Sequence, residues 1–493
     1  MYPLRARPTR FRRWVWLALA VCLAGCPAPP PRRPNVLVVV VDTLRADKLG
    51  AYGNRRGLTP FLDQLAQRGT LFEHAYATSS WTVPSMASLF TSRYPTQHHV
   101  VTFAQRIRAD EVTFGERLQR GGWAGGGFSA NPNLQDRFGH AQGFVAWRSE
   151  STEKQEVAGD ALRAQALGWL DGVWRRGAAD PALLFMQYME PHAPYAPNEP
   201  FRGRFAVDDD GKPVDLVASL RALAERTLPA PADGQQPTDL GVAIREIVSQ
   251  GLSRLTRSEA LPLERLYDAE VAEADDQIRR LFAELEQRGF LDDALIIITS
   301  DHGEEFFEHG GGSHGRTLYE ESVRVPLIIV GPGVPAGRRV GTNVSLIDLA
   351  PTLLDLLGLA PEPRFEGHPL TPLFANDVGD TGRARPQRSD IVLQLERTVP
   401  AEMDGREHTA GLVRGQQKLL IDRLEARPEL YDLGADPGET RRIASESDAG
   451  LAILHAALDQ TLARLTADAA PTGPTPALDD KFRDQLKALG YRP

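Results

Sequence analysis

Two uninterrupted runs of apolar, largely β-branched residues limit the fold more than anything else in the chain. Residues 35–42 (NVLVVVVD) and 294–300 (ALIIITS, with Asp301 next) show no polar alternation, and each runs into an acid. A strand with one solvated face alternates apolar with polar residues, so a strand without that alternation must be covered on both faces. Residues 325–330 (VPLIIV) make a third such run, closed by Gly331-Pro332-Gly333, and residues 181–190 contain ALLFMQYM. Helical spacing falls between these runs, at residues 60–68, 161–174, 263–287 and 346–357. The alternation predicts an α/β fold with a mostly parallel central sheet and helices on both faces. Ligands of such sheets bind beyond the carboxyl ends of the strands. Asp42, Glu190, His192, Asp301 and His302 all stand at or just past such ends, which points to one composite site.

The remaining segments arrange themselves around that body. Residues 203–262 are polar and proline-dotted, and read as an insertion or lid on a catalytic domain spanning 35–380. From about residue 388 the style changes to short strand-like runs (IVLQLE, HTAGLVR, QKLLID) and a last helical stretch near 450–466. These predict a small C-terminal α+β subdomain over 381–470, followed by a tail, 471–493. No internal repeat is visible.

The N-terminus carries its own signal. Arg5, Arg7, Arg10, Arg12 and Arg13 precede a short apolar run, 14–23, that is too short to span a bilayer and reads as a signal peptide over 1–25. Its end, Leu23-Ala24-Gly25-Cys26, looks like a bacterial lipobox, which implies cleavage before Cys26 and lipidation of that residue. The proline-rich stretch up to 34 then serves as a stiff tether. The expected location is the cell envelope, lipid-anchored to a bacterial membrane and facing periplasm or exterior. Cys22 and Cys26 are the only cysteines, so the mature chain has no disulfide and no catalytic thiol. The first 26 residues hold five of the 56 basic residues and no acid, leaving 51 basic against 65 acidic residues beyond them. That acidic surface excludes a nucleic acid as main partner, because phosphate neutralisation needs clustered Lys and Arg.

Two segments carry chemistry. In residues 78–95 (TSSWTVPSMASLFTSRYP), Thr82 with Pro84 two positions on is expected to cap a helix with proline in its first turn. A hydroxyl there also lies where free backbone amides receive a tetrahedral anion. Asp301 and His302, with Asp42 from another strand, make an oxygen-rich site with one imidazole. Such donors suit Mg²⁺, Ca²⁺ or Mn²⁺ better than Zn²⁺.

Five blocks in chain order resemble the sulfatase family, within the alkaline-phosphatase-like superfamily. They are NVLVVVVDTLRADKLGAYG, WTVPSMASLFTSRYP, MEPHAPY, LYDAEVAEAD and TSDHGEEFFEHGGGSHGRTLYEESVRVPLII; a sixth, ELYDLGADPGET at 429–440, is like the family's C-terminal subdomain. The resemblance implies that Asp42, Asp301 and His302 are metal ligands and that Thr82 is the nucleophile, also touching the metal. It implies that His192 contacts the transferred anionic group, and that Arg316 replaces a lysine touching that group or the leaving oxygen. His314 is then the candidate leaving-group acid, and His309 and Asn131 are candidate substrate-binding residues.

This chain also departs from the family pattern. Sulfatases oxidise a cysteine or serine to formylglycine, and Thr82 cannot give that aldehyde because its Cβ carries a methyl group. The family's arginine four residues on is Met86, and its second aspartate is Thr43. The lysine–histidine pair expected near 123–131 is absent from WAGGGFSANPN, leaving Asn131 as the polar candidate. The expectation is a metal-dependent hydrolase of sulfate or phosphate esters using one divalent ion and no formylglycine. Thr82 would attack a phosphoester directly and form a covalent intermediate. The substrate is an anionic ester: a sulfated or phosphorylated small molecule, glycan or lipid headgroup. Two alternatives stand beside this: a surface lipoprotein that binds sulfated or phosphorylated glycans without turnover, and a phosphoglycerol- or phosphoethanolamine-type transferase.

Overall fold

A computed structural model describes residues 33–149, 158–175, 180–207, 211–227, 244, 247, 255–375, 390–395, 408–422, 428–443, 449–469 and 479–488. The two constraining runs become β1 (Asn35–Val41) and β6 (Ala294–Thr299), adjacent and parallel at the centre of one sheet. On one side follow β5 (Ala182–Tyr188), β3 (Ala124–Ser129) and β4 (Ala146–Ser149), all parallel. On the other side lie β9 (Arg324–Val330) and β2 (Thr70–Tyr76), with β10 (Arg338–Val340) and β11 (Val344–Ser345) both paired to β2. A separate ribbon of β7 (Glu305–Phe306) and β8 (Gly312–Ser313) lies in the connection between β6 and β9. Only β9 runs against its neighbours, so β2 still points the same way as β1. The expected mostly parallel sheet is present.

Every side chain of β1 is buried. Leu37, Val39 and Val41 face one core with Leu62, Leu266, Ile278 and Leu281, from the helices Pro60–Gln67 and Leu261–Gln287. Val36, Val38 and Val40 face the other, with Met86, Phe90, Leu349 and Leu353 from the helices Thr82–Thr91 and Leu349–Leu356. Two covered faces are what a strand without polar alternation requires. β3 reads AGGGFS and gives no strand signal, for a packing reason. A Cβ at Gly126 would overlap the indole of Trp169, and one at Gly127 would overlap that of Trp147.

The C-terminal subdomain is an antiparallel sheet of β12 (Ile391–Gln394), β13 (His408–Arg414), β14 (Gln417–Asp422) and β15 (Pro428–Asp432). The helix Ala449–Ala467 covers one face through Leu451, Leu454 and Leu458. Leu393, Val413 and Tyr431 belong to the core that holds helix Thr82–Thr91, so the subdomain packs directly on the catalytic domain. The stretch read as a tail contains a helix, Asp480–Ala488, whose Phe482 and Leu486 pack on Phe138. Of the insertion, residues 211–227 include the helix Leu216–Thr227, and most of the stretch after it lies outside the described residues, as do the signal segment and Cys26. Among the described residues no helix is long and apolar enough to cross a membrane.

Candidate active site

The carboxyl ends of β1, β2, β3, β5 and β6 converge. Asp42 follows β1 directly, Asp301 and His302 lie just past β6, Asn131 just past β3, and residues 77–81 lead from β2 to Thr82. The helix begins at Thr82 itself, with Trp81 at the N-cap and no side chain capping it. Thr82 is therefore one position inside the helix and not its cap, as the proline spacing had implied. Its hydroxyl is left for another partner and lies 3.2 Å from His302 Nε2, fully buried. Ser85, one turn on, donates to the Asp301 carbonyl at 2.6 Å and ties this helix to the β6 end.

Each carboxylate has one oxygen satisfied and one bare. Asp42 Oδ2 accepts from Asn131 Nδ2 at 2.6 Å and Gln187 Nε2 at 3.1 Å. Asp301 Oδ1 accepts from the amides of His302 at 3.0 Å and Thr43 at 3.3 Å. Among the described residues, Asp42 Oδ1 and Asp301 Oδ2 are buried with no hydrogen-bond donor. His302 Nδ1 lies 2.9 Å from the Gly303 carbonyl, which can only accept, so that nitrogen carries a proton and, in the neutral ring, Nε2 presents its lone pair. The three residues offer donor atoms within 4.8 Å of one another. Burial, and for Asp42 also the nearby Asp301 charge, holds both carboxyls above the usual range. Two bare buried carboxylate oxygens and one imidazole lone pair fit a hard divalent cation, which would satisfy all three at once. Thr43 adopts a φ of 54°, an unusual conformation for a β-branched residue. Its amide on Asp301 and its carbonyl, which accepts from Tyr267 at 2.7 Å, hold it there.

Two further imidazoles, His192 and His314, line the next layer. The His314 ring centroid lies 4.5 Å from that of His302 and 4.9 Å from that of His192. His314 Nδ1 is 3.0 Å from Glu304 Oε1. Burial, with His314 adding to it, pushes His192 down to about 3, so it is neutral here; its Nδ1 bonds the Ala193 carbonyl. Burial lifts Glu304 to about 7 against the opposing pull of His192 and His302. Arg316 is buried two residues beyond His314 on the same loop.

Thr82, Asp42, Asp301, His302, His192 and His314 are thus brought together. His309 is not among them, and its expected role at the substrate is not supported by its contacts. Its ring stacks on Tyr319 at 3.5 Å, with Nδ1 2.7 Å from Glu321 and Nε2 3.2 Å from the Glu439 carbonyl. Asn131 also does something other than expected: its amide nitrogen holds Asp42, and its oxygen accepts from the Asn133 amide at 2.8 Å. Met86 is fully buried in the apolar core. Gln187 and Glu304 escaped the sequence reading. The signal for Gln187 was a polar residue inside an otherwise apolar strand, and for Glu304 an acid following the metal-capable pair.

The sulfatase family model matches residues 34–359, and a model described as the C-terminal part of N-sulphoglucosamine sulphohydrolase matches residues 308–468. The chain belongs to the sulfatase family. It is a sulfatase-family ester hydrolase with the fold of that family and an antiparallel C-terminal subdomain. Arylsulfatase K of Gallus gallus is 25% identical over 460 residues, covering 86% of this chain and 82% of its own. N-acetylglucosamine-6-O-sulfatase of Bacteroides thetaiotaomicron is 24% identical over 495 residues, covering 87% and 86%. A protein solved in complex with its substrate D-glucosamine-2-N,6-O-disulfate superposes with a TM-score of 0.70 at 22% identity, covering 89% of this chain and 99% of that one. Phosphonate monoester hydrolase of Agrobacterium radiobacter gives 0.64 at 23% identity, covering 88% and 96%. At these identities the structural likeness speaks for the fold.

Proposed function

We propose that this sulfatase-family protein hydrolyses phosphate monoesters or diesters through Thr82, without formylglycine. The observation that carries the reading is the Thr82 hydroxyl, 3.2 Å from His302 Nε2 and at the first position of an uncapped helix. There the helix amides favour the anionic group that Thr82 attacks. The residues holding a cation would be Asp42, Asp301 and His302, with Ca²⁺, Mg²⁺ or Mn²⁺ preferred by the oxygen-rich set. When bound, such an ion would lower the pKa of the Thr82 hydroxyl and offset charge on the transferred group.

The Oγ1–P bond forms as the ester P–O bond breaks. The Thr82 proton leaves to solvent, and a proton on His314 Nε2 passes to the departing alcohol. Glu304, accepting from Nδ1, orients the ring and favours the doubly protonated form this needs. Water then cleaves the phosphothreonine, its two hydrogens returning the Thr82 hydroxyl and leaving on the released phosphate (a monoester where the substrate is a diester). The proton given up to solvent in the first step restores His314. Arg316 binds the equatorial oxygens, His192 joins it once the anion gives its Nε2 a proton, and Asn131 holds Asp42 in place. The phosphonate monoester hydrolase neighbour supports a phosphorus-centred substrate, whereas the sulfatase relatives support a sulfated sugar.

The test compares wild type and Thr82→Ala on matched nitrophenyl sulfate, phosphate monoester and phosphodiester, with each metal supplied in turn. Phosphoester turnover lost in the variant is expected. Thr82-dependent sulfate turnover would replace phosphorus with sulfur in this scheme. No turnover with any metal would favour a glycan-binding protein, a reading that Met86 at the family's arginine position supports. From residues 5–26 alone we also infer a chain cut before Cys26 and lipid-anchored in the cell envelope. Cys26→Ser should release it into the soluble fraction; unchanged membrane retention would reject the anchor.

A further inference from the structure

The loop between β6 and β9 carries Glu304 and His314 on the side facing the active site, with Arg316 two residues further on. Its other side rests on the C-terminal subdomain. The Tyr319 hydroxyl donates to Glu429 at 3.0 Å, and the Glu320 amide to the Glu439 carboxylate at 2.6 Å. Lys418, fully buried on β14, bridges Glu320 and Glu439 at 3.0 Å each. His309 completes the contact. One ring nitrogen meets the Glu321 carboxylate and the other the Glu439 carbonyl, while the ring lies on Tyr319 at an interplanar angle of 14°. A carboxylate and a carbonyl can only accept, so both nitrogens carry protons and the ring is an imidazolium.

The same residues could be mistaken for a second metal site, because Glu305, His309 and Glu321 have donor atoms within 4.8 Å of one another. An imidazole that donates from both nitrogens has no lone pair for a metal. Both Glu305 oxygens already accept, from the Gly311 amide at 2.9 Å and the Thr317 hydroxyl at 3.0 Å.

We propose that His309 is a positioning residue: its imidazolium fastens the active-site loop to the C-terminal subdomain and so sets where His314 and Arg316 stand. The roles of His314 and Arg316 rest on the function proposed above; the fastening does not. The charged groups facing His309 are Glu321, Glu439 and Glu305, with Lys418 engaged by Glu320 and Glu439. Burial lowers the His309 pKa, but the Glu321 hydrogen bond and charge, with Glu439 and Glu305 behind it, outweigh burial and hold it at about 9. The fastening is therefore intact at neutral pH and weakens as the ring loses its proton.

The test uses the full chain as wild type, His309→Gln, His309→Arg and Glu321→Gln. It follows two readouts against pH: hydrogen-exchange protection of residues 305–317, corrected for intrinsic rate, and kcat and KM for a nitrophenyl phosphate. Wild type is expected to lose protection on passing about pH 9. His309→Gln should already lack that protection at neutral pH, with kcat down about tenfold and KM moved far less. His309→Arg, a planar cation that does not titrate, should keep protection above that pH. Glu321→Gln should move the wild-type transition to lower pH, and it serves as the reading if His309→Gln does not fold. Wild-type protection in His309→Gln, an unmoved transition in Glu321→Gln, or a bound metal lost with His309 would each overturn the proposal. If the protein turns over no phosphoester, the exchange readout alone decides the fastening, so failure of the function is seen separately.

Discussion

The cradle of Asp42, Asp301 and His302 and the cluster around His309 and Lys418 are built from nearly the same side chains, and both are buried. In the cradle two carboxylate oxygens face each other with no donor. In the cluster Lys418 stands 3.0 Å from both Glu320 and Glu439, and the His309 imidazolium 2.7 Å from Glu321, so each carboxylate has a cation of the chain beside it. Residue type alone cannot separate a site that waits for a cation from one that brings its own. What separates them is whether a cation of the chain already stands beside each carboxylate.

The largest expected effect breaks the chemistry and leaves the cradle intact. Thr82→Ala should lower phosphoester hydrolysis by roughly 10³-fold or more, while calorimetry still finds metal binding. Undiminished turnover would detach the hydroxyl from the reaction. Next comes a contrast in stability between the two clusters. Lys418→Met leaves Glu320 and Glu439 buried without their cation and should cost about 3–5 kcal/mol. Asp42→Asn in chelator-treated protein removes one of two facing anions and should leave the melting temperature unchanged or raised. A metal-free Asp42→Asn protein that melts well below wild type would mean the cradle is already balanced.

Smaller still, Asn131→Ala should weaken metal binding about 10–100-fold with little change in the fold, because it only orients Asp42. A change in KM without a change in metal affinity would return Asn131 to the substrate. The finest distinction is in pH. Burial pushes His98 and His140 to about 3, below their unfolded value near ~6.5, so stability falls as pH drops below that value. His309 is raised to about 9, so its contribution is complete below ~6.5 and fades as pH rises through 9. Equilibrium unfolding across pH should show the acid limb flattened in His140→Phe and the alkaline limb flattened in His309→Gln. Each limb should change by about 1.4 kcal/mol per pH unit at its steepest. Limbs that both variants leave alone would count against these assignments.

The strands that need no partner information were legible. Residues 35–42, 294–300 and 325–330 became β1, β6 and β9 to within a residue at either end, because a continuous β-branched run admits few alternatives. The direction of β9 was not legible, since period and composition are the same for parallel and antiparallel strands. β3 was hidden because Trp147 and Trp169, distant in sequence, supply the bulk that its glycines lack. At the site, Asp42, Asp301, His302, Thr82, His192 and His314 assemble as the strand ends and the family blocks implied. Thr82 was displaced by one helical position, because a proline in the first turn tolerates more than one start. His309 and Asn131 were misplaced because a polar residue beside a motif can point to its neighbours as easily as to a substrate.

The reversed strand β9 has a further consequence. A parallel neighbour of β6 would need a crossover of a dozen or more residues back to the far edge of the sheet. Because β9 starts where β6 stops, residues 300–323 leave and re-enter the sheet at the same rim. With Asp301, His302, Glu304, His309, His314 and Arg316 kept, the rest of that segment can change in length and sequence without rethreading a helix. It is the natural place to graft a new preference for the alcohol half of the ester onto an unchanged sheet.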